Sequence, residues 1–308
     1  MNNAICYCCD ETFAPYAATS IYSARVNQEG ADDYIFYVGY NELSDNSKRM
    51  LEKAASGAAI KFVKIDKEMF DDFRCEVAWI SQAAAYRLLM PHLVDEDVKH
   101  LLYIDCDTLV MNDLSLVFAE AELHKETLGA VLDPFYKNYT KRVGHDKYFN
   151  SGVLLIDCKQ WREKNYFEKV REALNHPGNT LPDQDALNRV CGDDCYYMPL
   201  AYNAMVRPNM KHHYEGNAAD EYLQALKKPV IWHFIGRSKP WHTDYHTPLV
   251  RGKWGIYAKR IGVSDLCSNV QKKPDLLIFN KKPVQLPPYI EIDARGRAFD
   301  LETGELID

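Results

Sequence analysis

Leu101-Leu102-Tyr103-Ile104-Asp105-Cys106-Asp107-Thr108-Leu109-Val110 decides how this chain is read. An apolar run with the look of a buried strand ends abruptly in two carboxylates spaced i, i+2. Side chains alternate along a strand, so Asp105 and Asp107 point the same way if the strand persists that far. Two hard oxygen ligands at the end of a central strand suit Mn²⁺ or Mg²⁺, above all where a diphosphate completes the shell. Strand ends are also where open α/β sheets hold their ligands. The spacing alone is not selective. Asp95-Glu96-Asp97 and Asp183-Gln184-Asp185 repeat it, and a surface turn or a helix cap is the ordinary reason for such a pair. Only at 105–107 does the pair follow a strand-like run and precede another apolar step.

Outward from this stretch, the first two-thirds of the chain alternates as an α/β sheet requires. Strands are expected at 4–9, 34–38, 59–65, 101–104, 128–132, 152–156 and 229–234. Helices are expected at 14–27, from an N-cap at Ser44 to about Ser56 before Gly57, at 81–90 ending on Pro91, and at 159–174. After about residue 265 the character changes. Pro274, Pro283, Pro287 and Pro288 punctuate short β-like pieces, Tyr289-Ile290-Glu291-Ile292-Asp293 alternates, and Arg295-Gly296 looks like a hairpin turn into 297–301. The expected organisation is a domain over 1–265 with a C-terminal extension over 266–308.

The 308 residues can bury a large core, and 47% hydrophobic with 26% charged residues is ordinary for a globular protein. No apolar run is long enough to span a bilayer. Met1-Asn2-Asn3-Ala4 lacks the basic segment of a signal peptide, so a cytoplasmic protein is expected. Nine cysteines sit mostly in apolar contexts such as Ile5-Cys6-Tyr7-Cys8-Cys9, which favours reduced, buried thiols. A net charge of −7 argues against nucleic-acid binding. The charge is unevenly spread: residues 251–282 carry eight Lys/Arg against Asp265 and Asp275. That basic stretch could rest on an anionic membrane surface, although a solvated face is its commoner meaning.

Asp10 also follows a strand, so Asp10 and Asp105 border one crevice if those strands are neighbours. A helix N-cap is the competing role for Asp10. Neither a dinucleotide-binding glycine fingerprint nor a P-loop is present. The second informative stretch is Val230-Ile231-Trp232-His233-Phe234-Ile235-Gly236-Arg237-Ser238-Lys239-Pro240-Trp241-His242. Gly236 and Lys239 could turn backbone and an ammonium toward a phosphate. His233 beside the aspartates would favour manganese, because imidazole is a poor ligand for Mg²⁺.

Six segments then occur in a telling order. They are Cys8-Cys9-Asp10, Ala85-Tyr86-Arg87-Leu88, Tyr103-Ile104-Asp105-Cys106-Asp107, Phe149-Asn150-Ser151-Gly152-Val153-Leu154-Leu155-Ile156, Asp183-Gln184-Asp185-Ala186-Leu187-Asn188 and His233 to Trp241. Together they resemble family 8 glycosyltransferases, in particular the bacterial lipopolysaccharide galactosyl- and glucosyltransferases, over about residues 3–245. The resemblance implies a GT-A type fold: a single Rossmann-like nucleotide-binding domain with a mixed central sheet. It implies retaining transfer of galactose or glucose from a UDP-sugar to a saccharide or lipid-linked glycan. Asp105, Asp107 and His233 would bind Mn²⁺, with Mg²⁺ as a substitute. Asp10 would read the uracil, flanked by Cys8 and Thr12. Arg87 would reach the diphosphate or the sugar, and Gly236 and Lys239 would close over the diphosphate. Asp133, Asn150, Asp183 and Gln184 would line the sugar pocket, with the Gln184 carbonyl against the oxocarbenium-like centre and Asp185 as the alternative nucleophile. Thr12 replaces a common Asn, and Cys8 and Cys9 replace smaller residues. Tyr136, Tyr139 and Lys141 fall where an acceptor-covering loop would lie. Sugar-phosphate nucleotidyl transfer and a binding-only subunit are the competing functions.

Overall fold

A computed structural model describes residues 3–28, 34–70, 82–207, 213–214, 216–236, 238–242, 245 and 247–263, with five short backbone strands between 276 and 307. Continuous apolar runs form its centre, because a strand covered on both faces has no polar side to show. In chain order the elements are β1 (Asn3–Cys8), α1 (Ala14–Val26), β2 (Ile35–Tyr40), α2 (Asp45–Ala54) and β3 (Ile60–Lys64). A 3₁₀ segment (Gln82–Leu88) leads to α3 (Met90–Leu93), β4 (His100–Ile104), β5 (Thr108–Val110), α4 (Ser115–Glu120), β6 (Leu128–Leu132) and α5 (Tyr136–Val143). Then come β7 (Phe149–Asp157), α6 (Cys158–Glu163), α7 (Tyr166–Ala173), α8 (Pro182–Cys191), β8 (Cys195–Tyr197), β9 (Ala204–Met205), α9 (Asn217–Lys227), β10 (Ile231–His233) and α10 (Pro248–Ile261).

Seven strands make one mixed sheet in the order β3-β2-β1-β4-β7-β6-β8. The β1, β2, β3 and β4 pairings are parallel, and β7 runs antiparallel to both β4 and β6. From β1 the chain winds outward through β2 and β3, then returns to place β4 on the other side of β1. That reversal opens a crevice beyond the carboxyl ends of β1 and β4, as it does in other doubly wound sheets. A second small sheet, β5-β10-β9, stands beside it. Two apolar layers sandwich the main sheet. One gathers Ile21, Leu51, Phe234 and Trp254 from the α1, α2 and α10 side; the other gathers Phe70, Met90, Trp161 and Leu187.

Local chemistry explains the boundaries. Ser44 caps α2 by accepting from the Ser47 backbone N–H at 3.1 Å. The helix expected over 159–174 is two helices, because Asn165 takes the left-handed conformation (φ 55°) and breaks the hydrogen-bond ladder. The helix expected to end at Pro91 differs as well: Gln82–Leu88 is 3₁₀, and Pro91 lies in the first turn of α3, where no N–H is needed. Ser81 lies outside the described residues. In the C-terminal segment Ile290–Ile292 pairs antiparallel with Ala298–Asp300. The Arg295-Gly296 turn also lies outside the described residues.

Candidate active site

The two aspartates do not owe their shared direction to strand alternation. β4 ends at Ile104, and Asp105-Cys106-Asp107 forms the bend by which the chain leaves the main sheet for β5. Three hydrogen bonds, two of them between backbone groups, pin that bend. Asp105 N–H donates to Gly152 O on β7 at 2.7 Å, Phe234 N–H donates to Asp107 O at 2.9 Å, and Thr108 Oγ1 donates to Asp105 O at 2.8 Å. β10 pairs antiparallel with β5 and sets His233 opposite Thr108. The seam between the sheets therefore brings Asp105, Asp107 and His233 together, with one ligand atom from each lying within 4.8 Å of the others.

His233 Nε2 is 3.4 Å from Asp107 Oδ1 and 3.7 Å from Asp105 Oδ2. A chain of amides sets its tautomer. Gly152 N–H donates to Asn150 Oδ1 at 3.0 Å, which also accepts from Asn203 Nδ2 at 2.9 Å. The carbonyl of Asn203 is thereby turned toward His233 Nδ1, 2.9 Å away. An acceptor there places the proton on Nδ1 and leaves the Nε2 lone pair facing the carboxylates, as metal-binding imidazoles require. Gly152 supplies the room: a Cβ at that position would lie 2.2 Å from His233 Cε1 and 2.7 Å from Asp105 Oδ2. Two carboxylates, one oriented imidazole and a side-chain-free wall form a donor set that fits a divalent ion, and the imidazole favours Mn²⁺ over Mg²⁺.

Two cations hold the carboxylates meanwhile. Lys239 Nζ lies 2.5 Å from Asp107 Oδ2 and 2.6 Å from Phe234 O. Burial pushes the Asp107 carboxyl up, but Lys239 and His233 outweigh it and hold the group below its ordinary range. Asp105 moves the other way. Burial raises it, Arg87 opposes the rise, and the neighbouring Asp107 adds to it. Arg87 Nη2 bridges Asp105 Oδ1 at 3.2 Å and Asp183 Oδ2 at 3.3 Å, while Nη1 donates to Ser151 O at 2.5 Å. Its guanidinium lies 4.4 Å above the Tyr103 ring, and Tyr103 OH donates to Asp105 Oδ1 at 2.5 Å.

These groups face one cleft of about 510 Å³, which Cys8, Thr12, Arg87, Gly236 and Lys239 also line. Gly236 takes a left-handed φ of 86° there. Asp10 sits off the lining. Its Oδ1 accepts from Phe13 N–H at 2.9 Å and so closes the turn that precedes α1, whose N-cap is Phe13. Asp133, Asn150, Asp183 and Gln184 do come together in the cleft. Gln184 is oriented differently from the sequence expectation: its Oε1 accepts from Ser151 N–H at 2.9 Å, Ser151 Oγ at 3.2 Å and Asn150 Nδ2 at 3.2 Å. Its Nε2 donates to Asp133 Oδ2 at 3.3 Å. Burial raises the Asp133 carboxyl against donors from Phe135 N–H, Asn150 and Gln184.

Asp185 does not join them. It is fully buried, away from the cleft lining. Its Oδ1 accepts from Arg142 and Tyr148 OH at 2.6 Å each, and its Oδ2 from the Thr180 and Leu181 N–H groups at 2.7 and 3.0 Å. With both oxygens engaged at the start of α8, it is a structural anchor and is not poised as a nucleophile. Asn203, Gly152, Tyr103 and Arg207 belong to the site and were not singled out in the sequence. Asn203 follows no recognisable pattern, whereas Tyr103 and Gly152 stood within segments already quoted.

The profile described as "Glycosyl transferase family 8" matches residues 4–245. The chain belongs to that family. General stress protein A of Bacillus subtilis (strain 168) is 31% identical over 253 residues, 78% of this chain and 88% of that protein. Lipopolysaccharide 1,2-glucosyltransferase of Escherichia coli (strain K12) is 26% identical over 270 residues, 82% of this chain and 74% of that protein. The fold matches that of galactosyltransferase LgtC, solved with donor and acceptor sugar analogs, with a TM-score of 0.70 at 23% identity over 88% of this chain and 98% of that one. LgtC has also been solved as an active-site glutamine-to-glutamate mutant. The mixed seven-stranded sheet is thus the GT-A fold of a family 8 glycosyltransferase.

Proposed function

We propose that the protein transfers a hexose, galactose or glucose, from a UDP-sugar to a saccharide or lipid-linked glycan, with retention at the anomeric carbon. The observation that carries this reading is the convergence of Asp105, Asp107 and an Nε2-facing His233 beside Lys239, at the end of the β1–β4 crevice. UDP lies with its uracil against Cys8 and Thr12, and the second carboxylate oxygen of Asp10 accepts from the base. Asp105, Asp107 and His233 would hold Mn²⁺, which would supply positive charge to the diphosphate.

Lys239 exchanges its contact with Asp107 for the diphosphate, and Gly236 brings backbone close to the same group. Arg87 stays braced between Asp105 and Asp183 and orients both. In the reaction the bond between the anomeric carbon and the diphosphate oxygen breaks, and its electron pair leaves on UDP. The acceptor hydroxyl attacks the same face, and its proton passes to the departing diphosphate. Groups aimed at charge as it develops lower the barrier more than groups that only bind the ground state. The anomeric centre meanwhile acquires oxocarbenium character. Asp133 and Asp183 face it, with Asn150 and Gln184 fixing Asp133 in place. Gln184 is the only glutamine lining the cleft among the described residues, which is in keeping with the active-site glutamine of LgtC.

Residues 1–265 form the catalytic unit in this reading, and 266–308 an extension. Among the described residues no helix is long and apolar enough to cross a membrane. α10 has no acidic residue and carries exposed Lys259 and Arg260 beside Ile256. It supports peripheral contact with an anionic cytoplasmic surface through 251–282. Sedimentation with anionic vesicles tests this, and binding insensitive to salt or lipid charge rejects it. The reaction itself is tested by UDP release from a panel of UDP-sugars with Mn²⁺, Mg²⁺ or chelator, and by NMR of the product anomer. An α-linked product formed only with metal supports the reading. Metal-dependent UDP binding without turnover on any donor or acceptor would point to a binding-only subunit.

A further inference from the structure

Three long cationic side chains line the cleft: Arg87, Lys239 and Arg207. Two are held by carboxylates, Arg87 by Asp105 and Asp183 and Lys239 by Asp107. Arg207, the exposed one of the three, has no carboxylate partner among the described residues. It follows β9, which pairs in parallel with the His233 strand, and Val206 N–H donates to His233 O at 2.7 Å. Its guanidinium lies 5.6 Å from the centre of the Phe135 ring. It also passes near Gly236, where a Cβ would sit 3.8 Å from its Cδ and Nε. Phe135 in turn is tied to the sugar-pocket carboxylate, its N–H donating to Asp133 Oδ1 at 2.8 Å. Tyr139 continues this wall from α5, a helix with Lys137, Lys141 and Arg142 and no acidic residue.

This inference rests on the glycosyl-transfer reading. Uracil, diphosphate and hexose are each provided for elsewhere in the cleft, which leaves the Phe135–Tyr139–Arg207 wall without a part in donor binding. Aromatic rings suit the apolar face of a sugar. A guanidinium with no carboxylate beside it among the described residues suits the planar fork of a carboxylate or phosphate. A neutral glycan offers it only hydroxyl acceptors, without the opposite charge or the matching fork. We propose that this wall is the acceptor subsite and that it selects a saccharide bearing an anionic group, carboxylate or phosphate, which Arg207 binds.

The test compares methyl β-glucoside, its 6-phosphate and methyl β-glucuronide as acceptors for the wild type, R207K and R207Q. The two anionic acceptors are expected to exceed the neutral one in kcat/KM, and their order tells phosphate from carboxylate. R207Q is expected to raise KM for the anionic acceptors by roughly 10- to 100-fold, with little effect on KM for the neutral one. R207K is expected to recover part of the loss. Equal use of all three acceptors, no transfer to any of them, or equal losses on charged and neutral acceptors in R207Q would overturn the proposal. An equal loss of UDP affinity in R207Q, measured by calorimetry, would assign Arg207 to the donor and overturn it too. Failure of the wild type to release UDP in a metal-dependent way would instead strike the glycosyl-transfer reading, and this inference with it.

Discussion

The two ends of the cleft are built on opposite principles. At the seam of the sheets each metal-facing carboxylate meets a cation, Asp107 at Lys239 and Asp105 at Arg87, and Asn203 orients the His233 ring. At the far wall Arg207 lies exposed, near the Phe135 ring and the side-chain-free Gly236, and has no carboxylate to answer it among the described residues. The seam is fixed by strand pairing and by buried hydrogen bonds with few alternatives, so its geometry is set before any ligand arrives. The wall is built from the ends of a short strand and a short helix, the parts of a fold that vary most readily. One end is organised for a diphosphate that every catalytic cycle presents. The other is left open for a partner that decides specificity.

The sharpest way to break this contrast is at the seam. Asp107→Ala should lower metal-dependent UDP release by about 10²- to 10³-fold, the range for removing one stabiliser of transition-state charge. A loss no larger than that of R207Q would erase the distinction. Gly152→Ala drives a methyl group into His233 and Asp105, and should weaken Mn²⁺ binding by about 10- to 100-fold in calorimetry. Unchanged affinity would show that those side chains do not hold the ion. Asn203→Leu removes the acceptor that keeps the proton on His233 Nδ1. It should cost about tenfold in Mn²⁺ affinity, and Asn203→Asp should restore most of it.

Two smaller effects separate structure from chemistry. Asp185→Asn should destabilise the protein by about 1–3 kcal/mol in denaturant unfolding, because donors now satisfied would be left facing an amide. Its kcat should fall far less than that of Asp107→Ala. A collapse in kcat with native stability would restore Asp185 as a nucleophile. Asp194 lies away from the cleft and accepts from Thr127, Lys164 and Tyr166. Burial alone would raise its carboxyl, but these donors hold it below the ordinary range. Its contribution to stability is therefore present above the unfolded-state value and lost as pH falls through the folded one. Asp194→Asn should flatten the acid limb of the stability–pH curve and leave UDP release unaffected.

Much of this was legible in the sequence because strand ends announce themselves. Apolar runs that stop at Asp10, at Asp105 and shortly after His233 gave the sheet and three sides of the crevice. Other features were not legible, for physical reasons. Asp183-Gln184-Asp185 has the same spacing as the metal pair, yet opening a helix sends Asp183 into the cleft and Asp185 to the helix start. Asn165 looks no different from a helical residue until its φ is known. Asn203 acts on His233 across 30 positions of sequence, through a register that only the β9–β10 pairing creates. The shared direction of Asp105 and Asp107 was foreseen, but its cause was not: a bend between two sheets does what alternation was expected to do.

Metal-bridged donor binding at the seam is tested most directly by calorimetric titration of UDP into the wild-type protein. With Mn²⁺ present, UDP should bind at least about 100-fold more tightly than with chelator, equivalent to about 2.7 kcal/mol, and Asp107→Ala should abolish the difference. Equal UDP affinity with and without Mn²⁺ in the wild type would contradict it.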